Sequence, residues 1–441
     1  MLEPTVKNIL KVALPLMFGT FVQSIVAFTD AAFVSHLGTI SFDAVGNASL
    51  IYMALYMLCR GFGDGTQIQI AKEYGKSNFH KMRGFFYNAF SIQILLSLIL
   101  IIALISIIPS VIEGITESEL IAKDMITYLR FRGLGFLFAT SELILVAFLM
   151  AVGKTRIILV STLILASTNI FLDYALIFGE FGFPELGLEG AAIASSCAEL
   201  LSFGFLLIYI LKSEEFSEFK LKLRARIDKL QFKVLSNISL PLMFQGFISI
   251  STWLVFFTFI EQMGPKELEA SQCIRHLYFL AFIPIFGYAS ATKTFVSNLM
   301  GQNRVNEVPR VIIKLIILSV ASLVLIFHGS ILYPDTLVSL VNSNEEIYIL
   351  ASEILVLVSG SMLIFAFTTI VFNAVSGLGK TRISFLIELT TILIYVISSI
   401  VIFKYLQWEV KYTWIVEYIY FVVNGIISVL YLRHFFKARA K

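Results

Sequence analysis

The sequence predicts an all-α membrane protein, with twelve transmembrane helices in two parallel six-helix lobes. Three observations carry that prediction. Of 441 residues, 58% are hydrophobic and 14% charged, with a mean hydropathy of +0.87, whereas a soluble domain carries about 25% charged residues. The apolar residues come in blocks of about 20, the length a helix rising 1.5 Å per residue needs to cross a hydrocarbon layer ~30 Å thick. The chain also repeats itself at an offset of 226 residues. This composition excludes a disordered chain, a nucleic-acid binder and a secreted disulfide scaffold. Cys59, Cys197 and Cys273 offer neither a disulfide framework nor metal-ligand spacing.

The spans follow in order. The first, 9–36, closes at Gly38; the second, 46–71, ends at Gly75. The third is 84–108, and the fourth, 125–152, stops at Gly153. The fifth, 157–178, and the sixth, 187–211, complete the first half. The second half has 236–262, closing at Gly264, then 270–300, 311–333, 347–377, 383–404 and 413–433. The first block carries Asp30, exceeds a signal-peptide core and has no small-residue cleavage site behind it, so it reads as a true span. Lys and Arg set the orientation: 24 of the 33 fall in the N-terminus, the even-numbered loops and the C-terminus, against 4 in the odd-numbered loops. Both termini are therefore expected in the cytoplasm of a multi-pass cell-membrane protein. The longest cytoplasmic connection, 212–235, holds Lys220, Lys222, Arg224, Arg226, Lys229 and Lys233. It reads as a solvated linker beside anionic headgroups, not as a nucleic-acid patch.

The repeat rests on four anchors. Leu14-Pro15-Leu16-Met17-Phe18 recurs as Leu240-Pro241-Leu242-Met243-Phe244. Gly38 pairs with Gly264, Gly75 with Gly301, and Gly153-Lys154-Thr155-Arg156 with Gly379-Lys380-Thr381-Arg382, all 226 apart. Six spans per half give both halves one orientation, a parallel repeat of the kind transporters build around a central substrate site. The expected division is an N-terminal lobe at 1–211, the linker at 212–235 and a C-terminal lobe at 236–441. Gly-Lys-Thr is not a nucleotide-binding loop. That motif needs a glycine five positions before the Gly-Lys pair, where Phe148 and Ala374 stand. The segment reads as a helix C-cap followed by basic residues at the headgroups.

Ionisable residues inside spans are functional candidates by default. Asp30 lies about eight residues before Gly38, roughly 12 Å inside the outer boundary, and Asp173 roughly 8 Å deep in the fifth helix. Asn169 shares a face with Asp173, one turn earlier. Two carboxylates and an amide at one depth suit a cation, either Na⁺ on oxygen ligands or a proton held by a desolvated pair. Stepped forward by 226, Asp30 and Asp173 become Phe256 and Ser399, so the chemistry reads as one-sided. Arg60 and Asp64, four apart on the second helix, read as an intrahelical ion pair or a substrate contact. Arg275 and Lys293 are expected to snorkel to the two surfaces. Of the further acids in spans (Glu142, Glu199, Glu353, Glu388 and Glu417), Glu199 is deepest and a candidate for substrate or coupling ion.

At this point the chain resembles the multidrug and toxin extrusion (MATE) transporters over essentially its whole length. Leu14-Pro15-Leu16, the run Phe28-Thr29-Asp30 through Gly38, and Gly65-Thr66-Gln67 carry the likeness. So do Gly153-Lys154-Thr155-Arg156, Asn169 through Gly179, Gly187 through Ser195, Ile283-Pro284-Ile285, and Gly377-Leu378-Gly379-Lys380-Thr381. The resemblance implies cation-coupled export of amphipathic, often cationic, organic compounds, with the family's acid in helix one at Asp30. Its helix-five pair falls on Asn169 and Asp173, and a helix-six hydroxyl of some members on Ser195. It implies a hinge at Pro15, where a proline frees a backbone carbonyl. One branch of the family couples Na⁺ through acids in helices seven and ten. Ser249 and Phe365 stand there, so that second site is expected to be missing, and Arg60 and Asp64 lie outside the common pattern.

The combined reading is a secondary antiporter rather than an enzyme, needing no cofactor beyond its coupling ion, H⁺ or Na⁺. It would act as a monomer in the lipid bilayer on a small organic solute, with no nucleic-acid partner. One rival is a lipid-linked saccharide flippase of the wider superfamily, which would want a more basic central cavity. The other is an intramembrane enzyme, which would want a cluster of paired histidines and acids that the sequence does not supply.

Overall fold

The structure is a computed structural model, and it describes residues 2–116, 118–219, 221, 228–342 and 344–440. Lys220, Lys222, Arg224 and Arg226 of the linker lie outside these residues. Among the described residues, twelve helices are long and apolar enough to cross a membrane. They are α1 (Val6–Ser35), α2 (Thr39–Gly75), α3 (Phe79–Ser106), α4 (Glu119–Val152), α5 (Thr155–Phe178) and α6 (Gly187–Lys212) in the first half. The second half has α7 (Lys229–Glu261), α8 (Pro265–Gly301), α9 (Val305–Phe327), α10 (Glu345–Gly377), α11 (Thr381–Leu406) and α12 (Val410–Arg439). Each expected span overlaps one helix, although the ninth, 311–333, runs past the end of α9 at Phe327 into a separate short helix, Gly329–Leu332.

The helices overrun the expected bounds where polar residues flank the apolar block. The helix α2 begins at Thr39 instead of 46, and α7 at Lys229 instead of 236. Hydropathy marks what sits in hydrocarbon, but the backbone stays helical through the interface because its N–H and C=O groups need partners there too. Side chains help to fix these overruns. Ser41 Oγ donates to Asp124 Oδ2 at 2.8 Å, tying the start of α2 to α4. The Gly-Lys-Thr repeat behaves as a stop signal. Gly153 caps α4 in the left-handed region (φ 76°), its N–H reaching the carbonyls of Leu149 and Met150. Gly379 takes the same conformation (φ 77°) just past α10.

Packing divides the described chain into two compact units, one of residues 1–17 with 244–441 and the other of residues 18–243. The first seventeen residues and segment 236–243 therefore pack with the opposite half from the one that chain order assigns them. The crossings fall within α1 after Met17 and within α7 after Met243, two residues beyond Pro15 and Pro241, at the repeat offset of 226. In the first unit, Ile9, Val12, Ala13 and Met17 share a buried cluster with α8, α9, α10 and α12 residues such as Phe295, Leu315, Ile370 and Leu432. Arg304, between α8 and α9, clamps the N-terminal end: Nη1 donates to Glu3 Oε1 at 2.8 Å and Nε to Glu307 Oε1 at 2.7 Å. The guanidinium holds the Glu3 carboxyl below its ordinary range.

Two glycines make the exchange sterically possible. A Cβ on Gly61 of α2 would sit 2.5 Å from the backbone of Met243. A Cβ on Gly287 of α8 would sit 2.5 Å from Met17 Cγ and 3.2 Å from the Ala13 carbonyl. These positions are again 226 apart. Each unit thus accepts the leading part of a proline-bearing helix against a glycine, in the same register of the repeat.

Candidate functional site

The site lies within the unit formed by residues 18–243. Asp30 is five residues from the end of α1 at Ser35, and Asp173 five from the end of α5 at Phe178. At 1.5 Å per residue both are roughly 8 Å in, so Asp30 is shallower than the estimate measured from Gly38. Their carboxyls lie within direct electrostatic range of each other. Asn169, one turn before Asp173, is 1% exposed, as is Asp173. Its Nδ2 donates to Ser195 Oγ on α6 at 3.3 Å. The four residues expected at the cation site are thus brought together from α1, α5 and α6.

Their oxygens are short of donors. Asp30 Oδ1, both carboxylate oxygens of Asp173 and Asn169 Oδ1 are buried, and none receives a hydrogen bond. Ionised carboxylates and an amide carbonyl only accept, and a buried unsatisfied acceptor costs about 1–3 kcal/mol. Four such atoms in one place call for a shared proton or a cation. The donor set, all oxygen, fits a hard monovalent ion or H⁺.

The structure adds a second layer around Glu199, with partners that the sequence did not single out. Arg132, fourteen residues into α4, lies within electrostatic range of both Asp30 and Asp173. Its Nη1 pairs with Glu199 Oε2 of α6 at 2.7 Å. The guanidinium stacks 4.4 Å over the ring of Tyr52, whose hydroxyl donates to Glu199 Oε1 at 3.2 Å. Tyr128, one turn before Arg132, is buried beside it. Glu199 sits one turn beyond Ser195, so α6 joins the two layers. The fit is close: a Cβ on Gly135 would strike Glu199 Oε2. Glu199 therefore holds an internal cation. The available signal was a basic residue far from either end of its helix, which in hydrocarbon must find a buried acid.

The other candidates fall elsewhere. Arg60 is exposed and Asp64 half-buried, two to three turns past Tyr52 along α2 and away from Asp30. Glu142 accepts from Ser202 Oγ at 2.8 Å. Pro15 lies within α1. Arg275 stacks on Phe257 at 5.3 Å. Lys293 is 7% exposed, which corrects the expectation that it snorkels to the surface: it is enclosed by neighbouring side chains instead.

Ser249 has a neighbour that the sequence did not reveal. The aligned positions Ser249 and Phe365 are not acids, but Ser249 Oγ lies 2.5 Å from Glu388 Oε1. The carboxylate comes from α11, a helix that the comparison of helices seven and ten did not consider. The two buried acids of the other unit, Glu388 and Glu417, are each 4% exposed.

Comparisons with known proteins agree with this architecture. The MatE family profile matches residues 15–175 and again 241–401, two segments displaced by 226, as the internal repeat requires. The probable multidrug resistance protein NorM of Thermotoga maritima is 28% identical over 350 residues, covering 77% of this chain and 73% of that protein. The probable NorM of Bacillus anthracis is 23% identical over 410 residues, covering 91% and 90%. Among solved structures, an outward-facing multidrug resistance MATE family transporter of the MOP superfamily superposes with a TM-score of 0.91 at 19% identity, covering 99% of this chain and 96% of that one. A MATE structure in a bent conformation gives 0.89 at 20% identity, covering 98% and 95%. With the family profile matched over most of its length in two copies, this twelve-helix chain belongs to the MatE family.

Proposed function

We propose that the chain is a secondary antiporter of the cell membrane, exporting amphipathic or cationic organic compounds in exchange for H⁺ or Na⁺. Its coupling site is Asp30, Asn169, Asp173 and Ser195. The observation that carries this reading is the group of four donor-less buried oxygens contributed by Asp30, Asn169 and Asp173. An arrangement that is unsatisfied when empty and satisfied when it holds a cation has a conformational preference that depends on that cation. Differential affinity of this kind lets a gradient drive a conformational cycle. Pro15, next to the crossing of α1 between units, is the hinge through which the cation state of Asp30 reaches the rest of the chain. The multidrug-resistance names of the NorM relatives support the substrate class.

The test is efflux of a cationic dye into everted vesicles, energised by a proton gradient and by a sodium gradient in turn. One of the two gradients is expected to drive dye movement against its own concentration difference, and collapsing it should stop transport. Dye movement that ignores both gradients would refute antiport. Orientation is checked separately. Cysteines placed in 180–186 of intact cells should react with an impermeant reagent, and cysteines in 212–235 should react only after the membrane is opened. Labelling of the linker from outside would invert the assignment.

A further inference from the structure

We infer that Glu388 is a second proton-binding site, built into the unit that has no counterpart of Asp30 or Asp173. Glu388 lies on α11, seven residues from its start at Thr381, which is roughly 10 Å along the helix. It is 4% exposed. Three neutral groups from two other helices surround its carboxyl. Ser249 Oγ of α7 and the Tyr420 hydroxyl of α12 meet Oε1, while Asn424 Nδ2 of α12 donates to Oε2 at 3.2 Å. Among the described residues no lysine, arginine or histidine forms an ion pair with it.

From α12, Glu417 lies one turn before Tyr420, and its Oε1 accepts from the Tyr395 hydroxyl of α11 at 3.1 Å and from Trp253 Nε1 of α7 at 3.4 Å. Tyr395 meets Tyr420 edge to face, with centroids 5.7 Å apart. The helix α10 places its acids Glu345, Glu346 and Glu353 near its first turns and none at this level. The Glu388 carboxyl thus has a tyrosine, an amide and a hydroxyl as hydrogen-bond partners.

The hydroxyl proton count gives the site its function. Ser249 Oγ is 2.9 Å from the Gln245 carbonyl and 2.5 Å from Glu388 Oε1. A serine has one proton to give and lone pairs to accept with. When Glu388 is ionised, Ser249, Tyr420 and Asn424 all donate to the carboxylate. When Glu388 is protonated, its own O–H donates from Oε1 to Ser249 Oγ, and Ser249 turns its proton to the Gln245 carbonyl. Both states keep the carboxyl and its serine partnered with the same heavy-atom positions. A proton can therefore arrive or leave without stranding a buried group, which would otherwise cost about 1–3 kcal/mol. Only the charge changes, and a lone charge in this setting is expensive, so occupancy is tied to how far the unit opens to water.

The repeat shows that this site is separate from the one at Asp30. Stepped back by 226, Ser249, Glu388, Tyr420 and Asn424 become Gln23, Thr162, Ala194 and Ala198. Stepped forward, Asn169 and Ser195 become Tyr395 and Phe421. Asp30, Asp173 and Glu388 each stand where the other half has no acid.

The test is infrared difference spectroscopy of the purified full-length protein in lipid, recording the protonated-carboxyl band as pH is stepped. Glu388→Gln should delete one carboxyl from the difference spectrum, and Asp30→Asn should alter a different component. Ser249→Ala should keep the Glu388 component but move its frequency, since the carboxyl loses a hydrogen-bond partner. If Glu388→Gln does not fold, the Ser249→Ala shift carries the test. A Glu388→Gln spectrum superimposable on wild type, or an unshifted Ser249→Ala spectrum, would overturn the proposal. The readout requires no transport, so loss of the antiport reading and loss of this one are told apart.

Discussion

Asp30→Asn is expected to reduce gradient-driven efflux to the level of vesicles without the protein, while the variant still inserts and folds. A carboxylate roughly 8 Å inside a span is costly to keep, so an idle Asp30 would be neutralised without harm. Asparagine preserves the shape and removes the titratable charge. It also supplies an N–H to the neighbouring Asp173, whose two oxygens have no donor in the native arrangement. The site would then be satisfied without a cation, and the cation would no longer distinguish one conformer from another. Stability should change by less than about 1 kcal/mol, or rise, because an unpartnered buried charge has been removed. Asp173→Asn should give a similar or partial defect, and the double variant little more than the worse single one, since residues sharing a site are not additive. Dye efflux at matched expression is the measurement. Ion-dependent efflux at the wild-type rate would sink the coupling assignment.

The second large effect is on stability. Arg132→Met should destabilise the protein by about 3–5 kcal/mol, because it leaves Glu199 as an unpaired buried charge. The Arg132 and Glu199 side chains are 15% and 10% exposed, so solvent screens the loss little. Arg132→Lys should cost less, since the charge remains but the planar stack on Tyr52 and the forked donors do not. Adding Glu199→Gln to Arg132→Met should recover much of the loss, with a coupling energy of about 0.5–3 kcal/mol. Thermal unfolding in detergent, read as a double-mutant cycle, decides this. A single Arg132→Met variant as stable as wild type would mean that the pair is not formed.

These two variants mark what the sequence made legible and what it did not. Asp30, Asn169 and Asp173 could be placed together beforehand because depth along a helix follows from counting residues, and the helix period puts Asn169 on the face of Asp173. Counting gives depth but not azimuth. Arg132 was visible as a basic residue in a span, yet nothing in a one-dimensional reading says that it turns toward Glu199 and Tyr52. The same gap hid Glu388. Its depth was evident, but its meeting with Ser249 depends on how α11 rotates against α7. The fold was the easier inference, since the twelve apolar blocks and the 226-residue offset need no contact information. Which half each helix segment packs with was out of reach, because chain order and packing part company after Met17 and Met243.

That parting has a consequence for how the protein is made. Residues 6–17 leave the ribosome well before their packing partners on α8, α9, α10 and α12. One unit can close once residue 243 has emerged. The other must keep the start of α1 waiting, with buried-type residues such as Ile9, Val12 and Ala13 facing lipid or an insertion factor until the final helix arrives. Long sequence separation makes such closure slow, and the uncovered surface is the kind that misassembles in multidomain chains. Severing the polypeptide in the 212–235 linker would therefore not yield two self-sufficient pieces. Each fragment would retain a segment that belongs to the other's core, and stable protein would depend on both being synthesised in the same membrane.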